Sequence, residues 1–270
     1  MRIDLSLRSI DARISDLVDA ARAAEAAGLD GVWVYDHLSG HSFGGSRAVD
    51  VWVALTAIAE STERIAIGPL VLNTAARHPA HIAVAAATLQ ERSGGRLRLG
   101  LGAGAGHGDP YAAELTMLGL PVLGAAERRQ RVEETVGYLR ALWSGGGDFL
   151  GRHHRLDDPT DVLLADPPPD LIVAANGPKM ARLGGDIGDG LNVHDFQDDL
   201  VALAQLGRDR AAAREASDFE LSIEGPDVTI WLDSDDPMRQ RVLEASPDRV
   251  MLRWSPPDGI ETITRLAQLD

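Results

Sequence analysis

The feature that most constrains the fold is a regular alternation of short apolar segments with segments of helical periodicity, from one end of the chain to the other. Four of the short segments, VWVY, RIAI, LIVA and RVML, are almost continuously apolar. A strand of this kind is buried on both faces, as in a parallel sheet that helices cover. The alternation therefore predicts an α/β fold with parallel strands.

Eight strand–helix units can be counted along the sequence. The predicted strands are Ile3–Leu7, Val32–Tyr35, Arg64–Ile67, Leu97–Leu101, Leu171–Ala174, Gly190–Val193, a part of 221–231, and Arg249–Arg253. The predicted helices are Ile14–Ala27, Val49–Glu60, Pro79–Arg92, Ala125–Trp143, a short helix from Pro178, Leu200–Arg214 and Gly259–Leu269. Eight units in 270 residues have the number and size of a (β/α)8 TIM-type barrel. We therefore predict a single barrel domain over residues 1–270, with an open doubly wound sheet as the alternative.

Charge and cysteine content narrow the classes of function. The chain has 41 acidic against 26 basic residues, a formal net charge of −15, and no cysteine. The charge argues against nucleic acid or an anionic membrane surface as a partner, and the lack of cysteine excludes disulfides, thiolate metal sites and thiol catalysis. The sequence has no apolar run long enough to span a membrane and no apolar core of a secretory signal. We therefore expect a cytoplasmic protein.

In a (β/α)8 barrel the active site lies at the carboxyl ends of the strands. The informative residues at these ends are Asp36, His37, Asn73, Ala103, Gly104, His107, Asn176, Gly177 and His194. A histidine can transfer a proton near neutral pH, and the carboxylate beside His37 could hold the polar edge of a cofactor. A helix-capping aspartate and a loop histidine are the alternative interpretation of this pair. The long loops 40–47 and 106–124 are expected to supply further pocket residues.

The segment LGLGAGAGHGD, residues 99–109, lacks bulky side chains directly after a predicted strand. Gly100, Gly102 and Ala105 fit the GxGxxG/A pattern of dinucleotide-binding proteins. However, no helix begins directly after them, and no acidic residue follows at the end of a second strand. We favour a backbone wall against which a flat aromatic cofactor lies, and a flexible loop is the alternative.

The segment Asn176-Gly177-Pro178-Lys179 begins a short helix directly after a strand, and Lys179 is the only lysine of the chain. Backbone N–H groups and the helix dipole at such a start favour an anion, for example a phosphate. Simple helix capping with a solvated lysine is the alternative. The eight histidines do not have the spacing of metal ligands beside carboxylates, so no metal site is expected.

Five blocks of sequence, taken in order, resemble one known family: GLDGVWVYDHL, IGPLVLNTAARHPA, RLRLGLGAGAG, EETVGYLRALWSG and VAANGPKMARLGGDIGDGLNV. They are similar to the luciferase-like flavin oxidoreductases, and most similar to the branch that uses the deazaflavin coenzyme F420. The resemblance runs from about Asp4 to Val193, around two thirds of the chain. The resemblance implies a homodimer of TIM-type barrels that transfers a hydride between F420 and a small organic substrate.

The resemblance also implies roles for individual residues. Asp36 would bind the cofactor, His37 would give or take the proton, and Leu70–Val71 would form a non-proline cis peptide behind the cofactor ring. The further cofactor contacts that it implies are Asn73, Ala103, Gly104, Asn176, Gly177, Lys179 and Met180.

The sequence departs from the family's sugar-phosphate dehydrogenases at several points. Ala105 stands where they have a catalytic glutamate, and Gln197 lies near the position of their phosphate-binding lysine. The insertion with their other phosphate ligands is missing, which gives a compact barrel with a trimmed region after Val193. Glucose 6-phosphate is therefore not the expected substrate. His107 and His194 are candidates for substrate contacts in place of the missing glutamate.

Two other functions stay open from the sequence. An FMN-dependent monooxygenase, supplied with reduced flavin by a separate reductase, would need the same ring and phosphate contacts. A degenerate barrel that binds flavin or nothing is the second alternative.

The anionic tail of F420 would need an arginine cluster, for which Arg47 and Arg77 are candidates. The alanine-rich helices Val49–Glu60 and Pro79–Arg92 are the expected dimer contacts.

Overall fold

The computed structural model describes residues 1–145, 147–162 and 164–268. The strands are β1 (Arg2–Leu7), β2 (Gly31–Val34), β3 (Ala66–Pro69), β4 (Leu72–Asn73), β5 (Arg98–Gly102), β6 (Phe149–Leu150), β7 (Arg155–Leu156), β8 (Asp170–Ala175), β9 (Gly190–His194), β10 (Glu220–Asp227) and β11 (Arg249–Trp254). The α-helices are α1 (Ile14–Ala26), α2 (Val51–Ser61), α3 (Pro79–Arg92), α4 (Ala112–Met117), α5 (Ala125–Trp143), α6 (Pro178–Ile187), α7 (Leu200–Ala213), α8 (Val228–Trp231), α9 (Pro237–Glu244) and α10 (Ile260–Leu266). No helix in this part of the chain is long and apolar enough to cross a membrane.

Nine strands form one sheet in the order β3-β2-β1-β11-β10-β9-β8-β5-β4, and every pairing in it is parallel. Its two edges, β3 and β4, are consecutive parts of one strand that Leu70–Val71 interrupts, with a cis peptide bond between these two residues. Ile67 of β3 bridges to Leu97 beside β5, and Leu72 of β4 pairs with Leu101 of β5. The sheet therefore closes on itself as the predicted eight-stranded parallel barrel.

The strands and helices bury the faces that the sequence pattern indicated. All four residues of β2 are buried, which explains its apolar run, and four of the six residues of β1 are buried, including the polar Asp4 and Ser6. Helix α1 packs Leu17 and three alanines inward, and Gly28 follows its end with a φ of +80°. Glycine adopts this left-handed conformation without a Cβ clash, so the chain can turn into β2.

Buried charges fill the barrel at the amino ends of its strands. The guanidinium of Arg249 donates to Asp4 Oδ1 at 2.6 Å and to Glu220 Oε1 at 2.9 Å, and Trp33 Nε1 donates to Asp4 Oδ2 at 2.6 Å. Burial raises the pKa of Asp4 although Arg249 opposes this shift. The charged network lies opposite to the strand ends at which the active site is expected, so it is part of the barrel core.

Several elements differ from the sequence-based prediction. The third strand does not begin at Arg64 but covers β3 and β4, because Gly68 and Pro69 belong to the strand and not to a turn. A Cβ at Gly68 would lie 2.7 Å from the Trp33 ring, so the glycine is required by packing. The hairpin of β6 and β7 and the helices α4, α8 and α9 were not predicted, since they are short or irregular in pattern.

The region after Val193 is short but completes the barrel. It contributes α7, β10, α8, α9, β11 and α10, which include the last two strands. The seventh strand, expected within 221–231, is β10, and the rest of that segment is α8. The last helix is observed as α10, and Leu269, its predicted end, lies outside the described residues.

Candidate active site

A cavity of about 620 Å3 opens at the carboxyl ends of the barrel strands. Twelve of the thirteen site residues predicted from the sequence line it, namely Asp36, His37, Leu70, Val71, Asn73, Ala103, Gly104, Asn176, Gly177, Lys179, Met180 and His194. His107 is exposed and does not line this cavity. Its proposed contact with substrate therefore has no support from its position. Among the described residues, no group of three or more histidine or acidic side chains is placed to hold a metal ion.

His37 is paired with a carboxylate that the sequence analysis did not identify. Its Nδ1 lies 3.2 Å from Oε1 of Glu114, on helix α4. The other oxygen, Oε2, accepts hydrogen bonds from the backbone N–H groups of Leu38 at 2.9 Å and Ser39 at 3.3 Å. A carboxylate can only accept here, so Nδ1 of His37 carries a proton and Nε2 is left to exchange one with a ligand.

Glu114 stays ionised in a buried position. Its side chain is 6% exposed. Burial alone would raise its pKa, but the hydrogen bond and charge of His37 and the two backbone N–H donors outweigh burial and lower the pKa below its ordinary value. The carboxylate therefore orients the imidazole and fixes which of its two nitrogens carries the proton. Phe43 packs against the ring of His37 with 4.4 Å between centroids, which restricts its rotation.

Asp36 binds protein groups from the next strand end. Nε and Nη2 of Arg77 donate to its two oxygens at 2.8 and 2.6 Å, and the backbone N–H of Asn73 donates to Oδ2 at 3.1 Å. This bidentate pair fixes the position of Asn73 beside the cavity. Arg77 is consequently occupied. Arg47 donates to the carbonyl oxygen of Ala12 and does not line the cavity, so neither arginine is placed to bind an anionic tail there.

The glycine run fits the neighbouring strand. A Cβ on Gly100 would lie 2.9 Å from Cγ1 of Val71, and one on Gly102 would overlap with Cγ2 of the same valine. Gly104, with a φ of +69°, would place a Cβ onto the side chain of Asn73. Alternate glycines therefore make room for Val71 and Asn73. The expected backbone wall exists, since Gly102 and Gly104 line the cavity, but strand packing is what demands the glycines.

Part of the cavity wall is cationic. Arg128 and Arg129, near the amino end of α5, and Lys179, in the first turn of the neighbouring helix α6, line it. Arg128 donates to the carbonyl oxygen of Gly104, while its Nε is buried and without a hydrogen-bond partner in the described part of the chain. Two helix amino ends and three cations together form a site that favours an anion.

The cavity is also lined by another carboxylate that the sequence analysis missed, Glu224 on β10. It accepts a hydrogen bond from the hydroxyl of Tyr35, and Nε2 of His194 lies 3.6 Å from its Oε1. Nδ1 of His194 lies 2.7 Å from Asp195, which also accepts two hydrogen bonds from Arg253 at 2.9 and 3.0 Å. Burial and the charge of Glu224 raise the pKa of Tyr35 well above its ordinary value, so the phenol stays protonated and donates.

The family of the chain follows from comparison with known proteins. Residues 2–254 match the model of the luciferase-like monooxygenase family, and the chain belongs to it. It is 37% identical over 177 residues to an F420-dependent glucose-6-phosphate dehydrogenase of Beutenbergia cavernae, which covers 65% of this chain and 51% of that protein. It is 31% identical over 266 residues to an F420-dependent hydroxymycolic acid dehydrogenase of Mycobacterium tuberculosis, which covers 90% of this chain and 72% of that protein. The chain thus spans about half the length of the first of these curated relatives.

Solved structures share the fold. An F420-dependent secondary alcohol dehydrogenase in complex with an F420–acetone adduct superposes with a TM-score of 0.80 at 20% identity, over 100% of this chain and 99% of that one. The monooxygenase RslO1 from Streptomyces bottropensis gives a TM-score of 0.73 at 19% identity, over 100% of this chain and 97% of that one. At these identities the likeness establishes the TIM-type barrel.

Proposed function

We propose that this chain is an oxidoreductase that transfers a hydride between coenzyme F420 and a small organic substrate. The observation that carries the proposal is that the His37–Glu114 pair and the Leu70–Val71 bulge line the same cavity as the cations. An acid–base group, a flat apolar platform and an anion site are the three elements that such a reaction needs around a deazaflavin. The F420-dependent activities of the curated relatives support the choice of cofactor.

The residues present fit this cofactor. Leu70 and Val71 offer an apolar surface to a tricyclic ring, and a cavity of about 620 Å3 has room for a ring and a small substrate. The guanidinium of Arg128, together with Arg129 and Lys179, suits a phosphate and an acidic tail. When bound, the deazaflavin supplies the hydride acceptor or donor.

The protein's own part in the reaction is proton transfer and placement. During oxidation of an alcohol, Nε2 of His37 takes the hydroxyl proton, and in the reverse direction it returns this proton to the carbonyl oxygen. Glu114 keeps Nδ1 protonated and stabilises the imidazolium that forms. Asp36 accepts a hydrogen bond from the backbone N–H of Asn73 and so keeps Asn73 in position. Phe43 and Tyr111 flank the imidazole with ring-centroid distances of 4.4 and 6.0 Å and help to keep water away from it.

A binding titration tests the choice between the three functions. The apo-protein is titrated with F420 and with FMN, and the fluorescence of its five tryptophans is followed. Binding of F420 alone is expected. Binding of FMN alone would favour an FMN-dependent monooxygenase with a separate reductase, and binding of neither by a folded protein would favour a degenerate barrel.

A matched pair of variants tests the role of His37. His37→Ala is expected to keep its affinity for F420 and to lose most of the turnover, because the proton acceptor is gone while the platform and the anion site are intact. His81→Ala is the control, since His81 is exposed on α3 and does not line the cavity. Equal turnover in the two variants would remove His37 from the mechanism.

We also propose that the protein is a cytoplasmic homodimer with one domain per chain and helices α2 and α3 at the dimer contact. Val53 on α2 and Val84 on α3 are 55% and 48% exposed, which leaves apolar side chains for a partner to cover. The molar mass in solution checks this proposal. A monomer at micromolar concentration would contradict it.

A further inference from the structure

The cavity wall carries both cations and carboxylates. Arg128, Arg129 and Lys179 lie at the starts of α5 and α6, whereas Glu224 belongs to β10, which β9 separates from β8. If F420 occupies the site as proposed above, its phosphate and acidic tail bind the cations. The substrate then lies near the part of the wall that carries Glu224.

Glu224 is a carboxylate without a strong cationic partner. Its side chain is 11% exposed, and the only basic group at ion-pairing distance among the described residues is His194, with 3.6 Å between Nε2 and Oε1. The nearby Arg253 is committed elsewhere, because it donates to Asp195 and to Asp227. A buried carboxylate that lacks an arginine or lysine gains from a ligand that brings a positive charge.

Aromatic rings lie beside both Glu224 and His37. Tyr35 donates its hydroxyl to Glu224, and its ring centroid lies 6.3 Å from that of His37. Phe43 and Tyr111 lie together beside His37, with 4.9 Å between their centroids. Aromatic faces attract ammonium groups through their quadrupole, and a carboxylate next to them completes a site for an organic cation.

The charge of the whole chain acts in the same direction. A net charge of −15 raises the local concentration of cations and repels anions. No lysine or arginine among the described residues lies within ion-pairing distance of Glu224, and Arg253, whose charge acts on Tyr35, is paired with Asp195 and Asp227. This distinguishes the site from one that binds a sugar phosphate.

We propose that the substrate carries a protonated amino group that Glu224 binds, while its hydroxyl or carbonyl oxygen faces Nε2 of His37. The substrate class is therefore an amino alcohol or the corresponding amino ketone. This inference rests on the proposed function. In the oxidation, the carbinol C–H bond breaks with its electron pair going to the deazaflavin, the O–H proton goes to His37, and a C=O bond forms.

Three probes that share a cyclohexanol ring and differ in the charge of the second group test the proposal: trans-4-aminocyclohexanol, trans-1,4-cyclohexanediol and trans-4-hydroxycyclohexanecarboxylate. Their affinities for the full chain are measured by ligand-observed NMR, without cofactor and with saturating F420. We expect the amine to bind about 10- to 100-fold more tightly than the diol, as for a charge-assisted hydrogen bond, and the carboxylate to bind most weakly.

Two glutamate-to-glutamine variants provide the decisive comparison. Glu224→Gln keeps the size of the side chain and removes its charge, so the preference for the amine over the diol should disappear. Glu91→Gln makes the same change in net charge at an exposed position on α3 and should keep that preference. An unchanged preference in Glu224→Gln, or tighter binding of the carboxylate than of the amine to the unmodified chain, overturns the proposal.

Further outcomes separate this inference from the proposed function. Loss of F420 affinity in Glu224→Gln with an intact amine preference would make Glu224 a cofactor contact and overturn the proposal. If F420 does not bind but the amine preference depends on Glu224, only the proposed redox function fails.

If Glu224→Gln does not fold, Tyr35→Phe replaces it. This variant frees an oxygen of Glu224 from its internal donor, so it should keep or strengthen amine binding, and loss of that binding overturns the proposal.

Discussion

Replacing Glu114 by glutamine should reverse the tautomer of His37. A glutamine has one acceptor oxygen, and the two backbone N–H groups of Leu38 and Ser39 already point at one oxygen of the native side chain. If the amide oxygen keeps these two donors, the NH2 group faces Nδ1 of His37 at the present separation of 3.2 Å. Two donors cannot face each other, so the proton of the imidazole moves to Nε2. The nitrogen available to the substrate then donates and no longer accepts.

The size of the effect follows from what the substitution removes. A correctly protonated general base contributes about 10²- to 10⁴-fold to a rate, and Glu114→Gln should lower kcat for alcohol oxidation within that range. The affinity for F420 should change little, because the cations and the Leu70–Val71 platform are untouched. The weaker hydrogen bonds to Leu38 and Ser39 should cost about 1–2 kcal/mol of folding free energy.

The assay combines kinetics with a direct view of the imidazole. Reduction of F420 is followed by its visible absorbance, cofactor affinity by tryptophan fluorescence, and the tautomer of His37 by 15N chemical shifts. Glu91→Gln, on the exposed side of α3, is the control for the change in net charge. An unchanged kcat in a folded Glu114→Gln protein would refute the reasoning.

Three further predictions concern the stability of the fold. Gly102→Ala should cost about 1–3 kcal/mol and weaken F420 binding, because its new methyl group overlaps with Val71; melting curves and the F420 titration check both effects. Arg249→Met leaves the buried carboxylate of Asp4 uncompensated and should cost about 3–5 kcal/mol in urea unfolding. Burial, reinforced by nearby positive charges, lowers the pKa of His154 from 6.5 to about 4. The unfolded chain therefore binds this proton more readily, and stability should fall as the pH drops from about 6.5 to 4, by at most about 3 kcal/mol. Unfolding of His154→Leu at a series of pH values should show a smaller loss, and an equal loss would exclude this histidine as the cause.

The barrel could be predicted because its signal is repeated along the whole chain. A continuous apolar run indicates a strand buried on both faces, and eight predicted strands between helices leave few other folds. The exact course of the third strand could not be predicted. Gly68 and Pro69 are typical of turns, and only the position of Trp33 on the neighbouring strand shows why a glycine is needed inside this strand.

The residues of the candidate site were predictable where they follow a strand directly. Asp36, His37 and His194 stand at strand ends, and the resemblance to the family added Leu70–Val71 and Met180. Glu114 was missed because its helix α4 has only six residues, too few for a periodic pattern, and lies 77 positions from His37.

Glu224 was missed for a different reason. It lies inside the segment 221–231, whose strand could not be delimited from the sequence. A single carboxylate within the apolar stretch LSIEG was the available signal, since a charge there has to face either the barrel interior or the cavity. Whether Arg47 and Arg77 can bind a ligand in the cavity likewise depends on the protein groups to which they donate. The spacing of residues in the sequence does not reveal these groups.

Glu114 lies on the segment between β5 and α5, and this position limits how such a barrel can acquire new substrate specificities. The same segment supplies Tyr111 to the wall of the cavity and Glu114 to the imidazole. Exchange of this segment for a foreign one would alter ligand preference and proton transfer in a single event. New specificities are therefore more accessible by point changes around a retained glutamate than by transplanting whole loops.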